Sequence, residues 1–212
     1  MGAEITAILT SYARESNMPR IVHTIRQQTA NPRVMLINNS GPSDFGVDDA
    51  TLIRWNAGPV ARWLFAPLVE TEWVYMQDDD LVPKDKQFLE DMLEIAKQHP
   101  GGITGIVGRA FGIIPPYYRT RPDILNGSAA IVKNQCVMFR KNLLRHCAMP
   151  ASKLDEDIHF SLEIGLGESV HWIDGGLRDR IERLPDQGAV SRSPGHWERR
   201  EAACREWIAR NG

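Results

Sequence analysis

The fold is decided by the stretch ITAILTSYARESNMPRIVHTIRQQTANPRVMLI, residues 5–37. Its two ends, residues 5–10 and 34–37, are continuous apolar runs, which is typical of strands buried on both faces. Between them, Asn17 and Pro19 mark the start of a helix with a repeating apolar face. A strand, a helix and a second buried strand in succession form a βαβ unit, so the sheet is expected to be parallel at this point.

The remaining elements extend this plan and then change it. Up to Gly102 the pattern continues to alternate strands and helices, whereas the short apolar runs after Gly102 lack long helices between them and favour mixed or antiparallel pairing. We therefore expect an α/β fold with a mostly parallel central sheet and a mixed second half. The predicted strands are 52–55, 73–76, 103–107, 128–132, 136–139 and 170–173, and the predicted helices are 59–69, 85–98, 154–164 and 197–209.

Composition and length predict one compact domain spanning residues 1–212. A formal net charge of -2 gives no global signature of polyanion binding. The three cysteines lack CxxC or zinc-type spacing, so neither a disulfide framework nor a structural zinc site is expected. The sequence has no basic, apolar leader and no run long enough to span a membrane, which predicts a cytoplasmic protein.

Three consecutive carboxylates, Asp78, Asp79 and Asp80, directly follow the apolar run 73–76. A buried strand that ends in a cluster of negative charge is costly unless the charge is neutralised, and a divalent cation is the usual means. Polar patches also follow the first three strands, at residues 10–14, 38–39 and 56–58. Because ligands bind at the carboxyl ends of parallel strands, these patches are expected to meet in one crevice.

The order of these motifs resembles that of glycosyltransferases with the GT-A fold. Trp55-Asn56-Ala57-Gly58 followed by Ala61-Arg62 resembles their Asn-x-Gly and Ala-Arg segment, and residues 73–83 resemble their strand with its DxD turn. The acidic turn is most similar to that of the exostosin-type branch. The resemblance implies a three-layer GT-A sandwich, with nucleotide-sugar binding in about residues 1–110 and acceptor binding in about residues 111–212.

The same resemblance implies a metal-dependent transferase that moves a sugar from a nucleotide-diphosphate donor to a hydroxyl acceptor. Asp80 is expected to bind Mn²⁺ or Mg²⁺, which bridges the two phosphates. Asp78 would accept hydrogen bonds from ribose or sugar hydroxyls. Asp79 would point away from both if the backbone stays extended, which gives it a supporting role and the greatest tolerance to replacement.

The donor itself is expected to lie against residues from the first three strand ends. Tyr12 would stack on the base, and Asn38 or Asn39 would read its edge. The family often has an acidic residue where these asparagines stand; a UDP-sugar is nevertheless the donor that we favour. The predicted donor-binding set is Ser11, Tyr12, Arg14, Asn38, Asn39, Asn56, Gly58, Arg62, Asp78 and Asp79.

On the acceptor side, Glu156 and Asp157 resemble the acidic pair that opens the acceptor-side helix of this fold. Asp157 is the first candidate to take the acceptor proton and Glu156 the second. The same pair also suits an ordinary helix N-terminus. A late histidine often completes the metal shell in this fold, which points to His196, with His171 as the alternative.

Two further segments are expected near the acceptor. The loop from Arg109 to Arg121 carries a Tyr117-Tyr118 pair that would stack on a sugar or a base, and residues 126–130 lie where the fold usually binds sugar or acceptor. The acceptor remains open among a glycan, a protein, a small molecule and a modified nucleic-acid base. A nucleotidyltransferase and a non-catalytic nucleotide-sugar-binding module are the alternative functions, and inversion and retention both remain possible.

Overall fold

The structure is a computed structural model that describes residues 2–39, 41–118, 121–150, 152–185 and 193–211. The described strands are β1 Ile5–Ser11, β2 Arg33–Asn38, β3 Asp49–Leu52, β4 Trp73–Gln77, β5 Leu81–Pro83, β6 Thr104–Gly105, β7 Gly108–Arg109, β8 Asp123–Ile124, β9 Gly127–Ala129, β10 Ile131–Val132, β11 Cys136–Arg140, β12 His171–Ile173 and β13 Ile181–Arg183. The described α-helices are α1 Met18–Arg26, α2 Val60–Phe65, α3 Phe88–Gln98, α4 Glu156–Gly165, α5 Gly175–Asp179 and α6 His196–Asn211.

The central sheet has the strand order β3-β2-β1-β4-β11-β6-β12-β9. The first four strands pair in parallel, as the βαβ unit predicts, and β1 lies between β2 and β4. Strand β11 then runs antiparallel to both β4 and β6, and β9 runs antiparallel to β12. This confirms a mostly parallel sheet with a mixed second half, and it brings the carboxyl ends of β1, β2 and β4 side by side.

Helices cover both faces of this sheet and form the outer layers of a sandwich. On one face α1 and α3 bury Ile21, Ile25, Phe88 and Met92 against the sheet. On the other, Trp63 of α2 stacks between two rings, with centroids 5.1 Å from that of Phe139 and 4.5 Å from that of Phe160. Aromatic stacking of this kind adds about 0.5–1.5 kcal/mol per pair beyond area burial. Trp63 therefore fixes α2, and with it the direction of the neighbouring Arg62.

The bounds and the order of some strands differ from those predicted. The third strand lies at Asp49–Leu52 rather than 52–55, because its pairing with β2 places Asn38 opposite Leu52 and ends the ladder there. Strand 170–173 is not the last one: β13 follows and pairs with β5 to form a small ribbon beside the acidic turn. None of the described helices combines the length and apolarity needed to cross a membrane.

The C-terminal helix is more than a solvated charged helix. It buries Arg200, Cys204 and Trp207, and Cys204 and Trp207 pack with Ile158 and Leu162 of α4. Helix α4 thus lies between the sheet and α6, with its Phe160 directed to the sheet side of the core. This packing holds the first turns of both helices over the ends of the central strands.

Candidate functional site

A cavity of about 470 Å³ opens where the ends of β1, β2 and β4 meet the first turns of α4 and α6. The sequence predicted most of the residues around it, and the structure brings residues from all the predicted patches together in this one space. The predicted residues that line the cavity are Tyr12, Arg14, Asn39, Asn56, Gly58, Arg62, Asp78, Asp79, Asp80, Glu156, Asp157 and His196.

Two predicted donor-binding residues, Ser11 and Asn38, do not line this cavity. Both are fully buried. Asn38 is occupied within its own turn, where its side-chain amide donates to Ser43 O at 2.9 Å and its Oδ1 accepts from Gly41 N at 3.1 Å. These two predictions were wrong in placement, because alternation along a strand turns every second side chain into the core.

The neighbours of these two residues face the cavity instead. Thr10 and Asn39 both line it, and Asn39 is 4 % exposed. Within the described part of the chain, neither Oδ1 nor Nδ2 of Asn39 has a hydrogen-bond partner, and Thr10 Oγ1 has none either. An unpaired buried amide costs about 1–3 kcal/mol, so this pair of groups is suited to a ligand that supplies both a donor and an acceptor.

Asp79 holds the loop after β1. Its carboxylate forms a salt bridge with Arg14 and accepts a hydrogen bond from Tyr12 N at 2.9 Å. Its carbonyl oxygen accepts from Asn17 Nδ2, also at 2.9 Å. The backbone at residues 79–80 forms a turn, so the alternation expected for an extended chain does not apply. The contacts contradict the expectation that Asp79 tolerates replacement best, because they position Tyr12 and Arg14.

Arg62 is a buried cation at the centre of the site. It donates to Gln77 O at 2.9 Å, to Asn134 O at 3.0 Å and to Asp78 Oδ1 at 2.7 Å, and it lies 4.0 Å from Glu156 Oε1. Although burial opposes its charge, the two carboxylates raise the pKa of Arg62 above its ordinary value. Arg62 therefore joins the donor-side carboxylate to the acceptor-side one.

Asp78 and Glu156 are both difficult to ionise. Burial raises the pKa of Asp78 to about 6 despite Arg62, and the Asp78 side chain keeps 37 % exposure where it lines the cavity. Burial, together with the charge of Asp157, raises the pKa of Glu156 to about 7. Glu156 Oε1 accepts from Asn134 Nδ2 at 2.9 Å, whereas its Oε2 has no hydrogen-bond partner among the described residues. A carboxyl group with a pKa near 7 and one free oxygen suits proton transfer.

Asp157 is bound differently from its neighbour. Both of its oxygens accept from Arg200 of α6, at 3.0 and 2.7 Å, and its Oδ1 also accepts from Ile158 N. Arg200 in turn covers one face of the Tyr118 ring, with 4.5 Å between the guanidinium carbon and the ring centroid. The Asp157–Arg200 pair therefore holds together α4, α6 and the loop that carries Tyr118.

The predicted aromatic loop is only partly exposed. Tyr118 is 2 % exposed, and the guanidinium carbon of Arg109, like that of Arg200, lies 4.5 Å from its ring centroid. Tyr118 lines the cavity, but its burial and its two guanidinium contacts leave little of the ring for stacking on a ligand. Residues 119 and 120 of this loop lie outside the described residues. Of residues 126–130, Gly127–Ala129 form β9 at the sheet edge, and none of the five lines the cavity.

The predicted metal shell is not assembled by protein side chains alone. Within the described ranges, no group of three or more His, Cys, Asp or Glu side chains could hold a metal ion. His196 lines the cavity, but burial and then the charges of Arg200 and Arg199 lower its pKa, and a cationic surrounding disfavours a further cation. Asp80 also lines the cavity, and its carboxylate suits a hard ion whose other ligands come from phosphate and water.

The alternative histidine, His171, is a core residue. It is fully buried, its Nδ1 accepts from Ile103 N at 3.0 Å, and its Nε2 donates to Ser161 O at 2.9 Å. Burial lowers its pKa to about 4. Both ring nitrogens are thus occupied by the backbone, and the prediction of His171 as a metal ligand was wrong.

Asn56 and Gly58 shape the wall of the cavity. Asn56 Oδ1 accepts from Gly58 N at 2.8 Å, and Gly58 has a φ of 74°. A Cβ at this position would lie 2.8 Å from Lys153 O. The glycine is therefore required for a close approach to the chain before α4, in addition to its expected exposure to a ligand.

Several cavity residues were missed by the sequence analysis. They come from the turn between β10 and β11, from the end of β13 and from α6, segments that lie far apart in the sequence. The turn at residues 133–135 was visible as a polar interruption between two apolar runs, but nothing indicated its proximity to β4. The residues are Lys133, Asn134, Gln135, Arg183, Trp197 and Arg200.

The chain resembles solved glycosyltransferase structures. It superposes on the mannosyltransferase PcManGT from Pyrobaculum calidifontis, in complex with GDP-Man and Mn²⁺, with a TM-score of 0.62 and 12% identity, covering 98% of this chain and 73% of that one. For TarS from S. aureus the TM-score is 0.59 at 15% identity, and for TarS 1-349 in complex with UDP-GlcNAc it is 0.61 at 14%.

These similarities concern the fold. The two TarS superpositions cover 80% and 88% of this chain, which spans only 35% and 60% of the respective TarS chains. No protein-family model matches the sequence, and no curated protein matches it. The strand order and the similarity to these structures confirm the predicted GT-A-type architecture.

Proposed function

We propose that the protein is a glycosyltransferase that moves a sugar from a nucleotide-diphosphate donor to a hydroxyl acceptor. One observation carries this proposal: a single cavity holds the acidic turn at residues 78–80, the unpaired amide of Asn39 and the carboxyl group of Glu156, whose pKa is raised to about 7. These groups correspond to the three needs of the reaction, which are diphosphate binding, base recognition and proton transfer.

The nucleoside is proposed to bind at the ends of β1 and β2. Tyr12 is 43 % exposed at the edge of the cavity, which leaves its ring accessible for stacking on a base. Asn39 offers one acceptor and one donor side by side, which matches the N–H and C=O of uracil. A UDP-sugar remains our favoured donor; guanine presents a similar pair, and the neighbour structures hold UDP-GlcNAc and GDP-Man.

A divalent ion is proposed to enter with the diphosphate. Mg²⁺ and Mn²⁺ commonly keep only one or two protein carboxylates and take substrate phosphates and water as their other ligands. Asp80 would be the first of these carboxylates, and Asp78 would be the second. When bound, such an ion neutralises charge on the leaving diphosphate. His196 is not part of this proposed set.

Glu156 is proposed to accept the acceptor's proton. During transfer the bond between the sugar C1 and the phosphate oxygen breaks with its electron pair on that oxygen, a bond forms from the acceptor oxygen to C1, and the hydroxyl proton moves to the carboxylate. Glu156 has a free oxygen for this step, whereas both oxygens of Asp157 accept from Arg200. Asp157 stays the second candidate, and its contacts favour a positioning role.

The alternatives fit the cavity less well. A nucleotidyltransferase would normally have a glycine-rich loop after the first strand, and here that loop is Ser11-Tyr12-Ala13-Arg14. A non-catalytic module would have no need for an unpaired carboxyl oxygen in the cavity. The acceptor remains open among glycan, protein, small molecule and nucleic-acid base. Arg200, a basic residue of the C-terminal helix, forms a salt bridge with Asp157 and therefore adds no support for a nucleic-acid acceptor.

A thermal-shift screen tests this proposal without knowledge of the acceptor. Nucleotide sugars with different bases are each added with and without Mn²⁺, and free nucleosides serve as controls. A ligand that binds only the native state raises the melting temperature according to its concentration and affinity. We expect at least one nucleotide sugar to raise it in an Mn²⁺-dependent manner. No shift with any nucleotide sugar at millimolar concentration would contradict the proposal.

A further inference from the structure

The small β5–β13 ribbon places a cation beside the acidic turn. Strand β13 pairs with β5 so that Arg183 lies opposite Leu81, the residue directly after Asp80. Leu184 N donates to Asp80 O at 2.7 Å, which continues the pairing past Arg183. The ribbon therefore fixes Arg183 at the wall of the cavity, next to the proposed phosphate-binding carboxylates.

Arg183 differs from the other cations around the cavity. Arg14 pairs with Asp79, Arg62 with Asp78, Arg200 with Asp157 and Lys133 with Asp123. Arg183 is exposed and donates to the neutral Gln135 Oε1 at 3.0 Å, and it forms no salt bridge within the part of the chain that the structure describes. Its positive charge is thus not compensated by a carboxylate, although its position is fixed.

From these contacts we infer that Arg183 binds the diphosphate of the donor, an inference that rests on the proposed glycosyltransferase function. A guanidinium group matches two phosphate oxygens in one plane. The hydrogen bond to Gln135 uses one of its five N–H donors and holds the group in place. A diphosphate carries more negative charge than one divalent ion removes, so a fixed cation beside Asp80 supplies the remaining compensation.

The same contact acts during transfer. When the sugar leaves, negative charge grows on the phosphate oxygen that held C1, and a cation already positioned there stabilises the transition state more than the ground state. Arg183 would therefore provide diphosphate affinity that persists without metal. Nucleoside affinity would not depend on it, because the proposed base site lies at Tyr12 and Asn39.

Calorimetric titration tests this inference on the full chain. The probes are UDP and GDP, with uridine and guanosine as their phosphate-free counterparts, each with and without Mn²⁺. The variants are Arg183→Gln and Arg183→Lys, and Arg178→Gln is the matched control, since Arg178 is an exposed arginine of α5 outside the cavity. We expect Arg183→Gln to weaken diphosphate binding about ten-fold in both metal conditions, as for loss of a charged hydrogen bond. Lysine should restore part of this loss.

The outcomes separate the inference from the proposed function. If Arg183→Gln leaves diphosphate affinity within two-fold of the wild type, or weakens nucleoside and diphosphate equally, Arg183 has no phosphate-binding role while the proposed function stands. If the wild-type chain binds neither UDP nor GDP, the proposed function fails and the inference fails with it. An equal loss in Arg178→Gln would also overturn the inference, because it would reflect overall charge alone.

Discussion

The two ends of the cavity are built in different ways. At the donor end, Thr10 lies near the end of β1, and Asn39 follows the neighbouring β2. Among the residues that the structure describes, Thr10 Oγ1 and both side-chain polar atoms of Asn39 have no hydrogen-bond partner. At the acceptor end, Asp157 and Tyr118 are held by Arg200 through contacts between distant segments. Thr10 and Asn39 thus leave polar atoms for a ligand, whereas Asp157 and Tyr118 hold distant segments together.

Arg62 and Glu156 lie between these two ends and belong to both. Arg62 contacts Asp78 on the donor side and Asn134 in the turn before β11, and Asn134 in turn donates to Glu156. Variants of Glu156 and Arg62, and of the neighbouring Asn38 and Asn39 at the donor end, therefore test whether the two ends differ in this way.

The largest effect is expected at Glu156. If this carboxylate accepts the proton, Glu156→Gln should lower the transfer rate by about 10²–10⁴-fold, the usual size of general base catalysis. Asp157→Asn should reduce the rate less and mainly lower stability, because it disturbs the Arg200 pair. Rates of donor turnover and urea unfolding of the two variants measure this. A larger rate loss in Asp157→Asn, with stability unchanged, would assign the proton transfer to Asp157 instead.

The pH dependence follows from the same residue. The pKa of Glu156 in the folded chain is about 7, above the ordinary 4.5. The wild-type rate should therefore rise about ten-fold per pH unit below 7 and level off above it, since the base must be ionised. The folded state also binds more protons than the unfolded state in this window, so stability should fall as the pH rises from about 4.5 to 7. In Glu156→Gln the loss of stability over this pH range should be smaller than in the wild type. A stability profile identical to that of the wild type would contradict the assignment of this pKa to Glu156.

The next largest effect is expected on stability when Arg62, the cation that contacts both ends of the cavity, is replaced. Arg62→Met leaves Asp78 and Glu156 without their shared partner, and breaking a buried ion pair in this way costs about 3–5 kcal/mol. Urea unfolding at pH 7 measures the loss. The control is Arg33→Met, which removes an arginine from surface pairs with Asp49 and Glu70 and should cost less than about 1 kcal/mol. Equal losses of stability in the two variants would mean that the ion pairs of Arg62 contribute no more than the surface pairs of Arg33.

The sequence predicted which segments meet at the cavity better than it predicted the contacts of each side chain, for a physical reason. Continuous apolar runs fix parallel strands, and parallel strands bring their carboxyl ends together, so Asp78–Asp80 and Asn39 could be placed from local pattern alone. The roles of Asp79, His171 and Arg200 depend on which distant segment each one meets. Asp79 meets the loop after β1, His171 meets α4, and Arg200 joins α6 to α4. Packing between these segments leaves no local signature in the sequence.

The smallest effect separates the two neighbouring asparagines at the end of β2. Asn39→Leu removes an unpaired buried amide, so stability should stay constant or rise slightly, while affinity for the nucleotide falls by about 1–3 kcal/mol. Asn38→Leu breaks two internal hydrogen bonds and should lower stability by about that amount without a specific loss of binding. Thermal unfolding and nucleotide titration measure the two properties. The donor-end comparison fails if both variants lose stability equally.

Turnover of the donor is the direct test of the proposed glycosyltransferase activity. Release of nucleoside diphosphate from UDP- and GDP-sugars is followed for the wild type and for Asp80→Asn, with Mn²⁺ present and absent. We expect that the wild type releases nucleoside diphosphate from at least one donor, that Mn²⁺ accelerates this release, and that Asp80→Asn removes most of the acceleration. Tight, metal-independent binding of a nucleotide sugar with no release from any donor would contradict the proposed activity and identify a binding module instead.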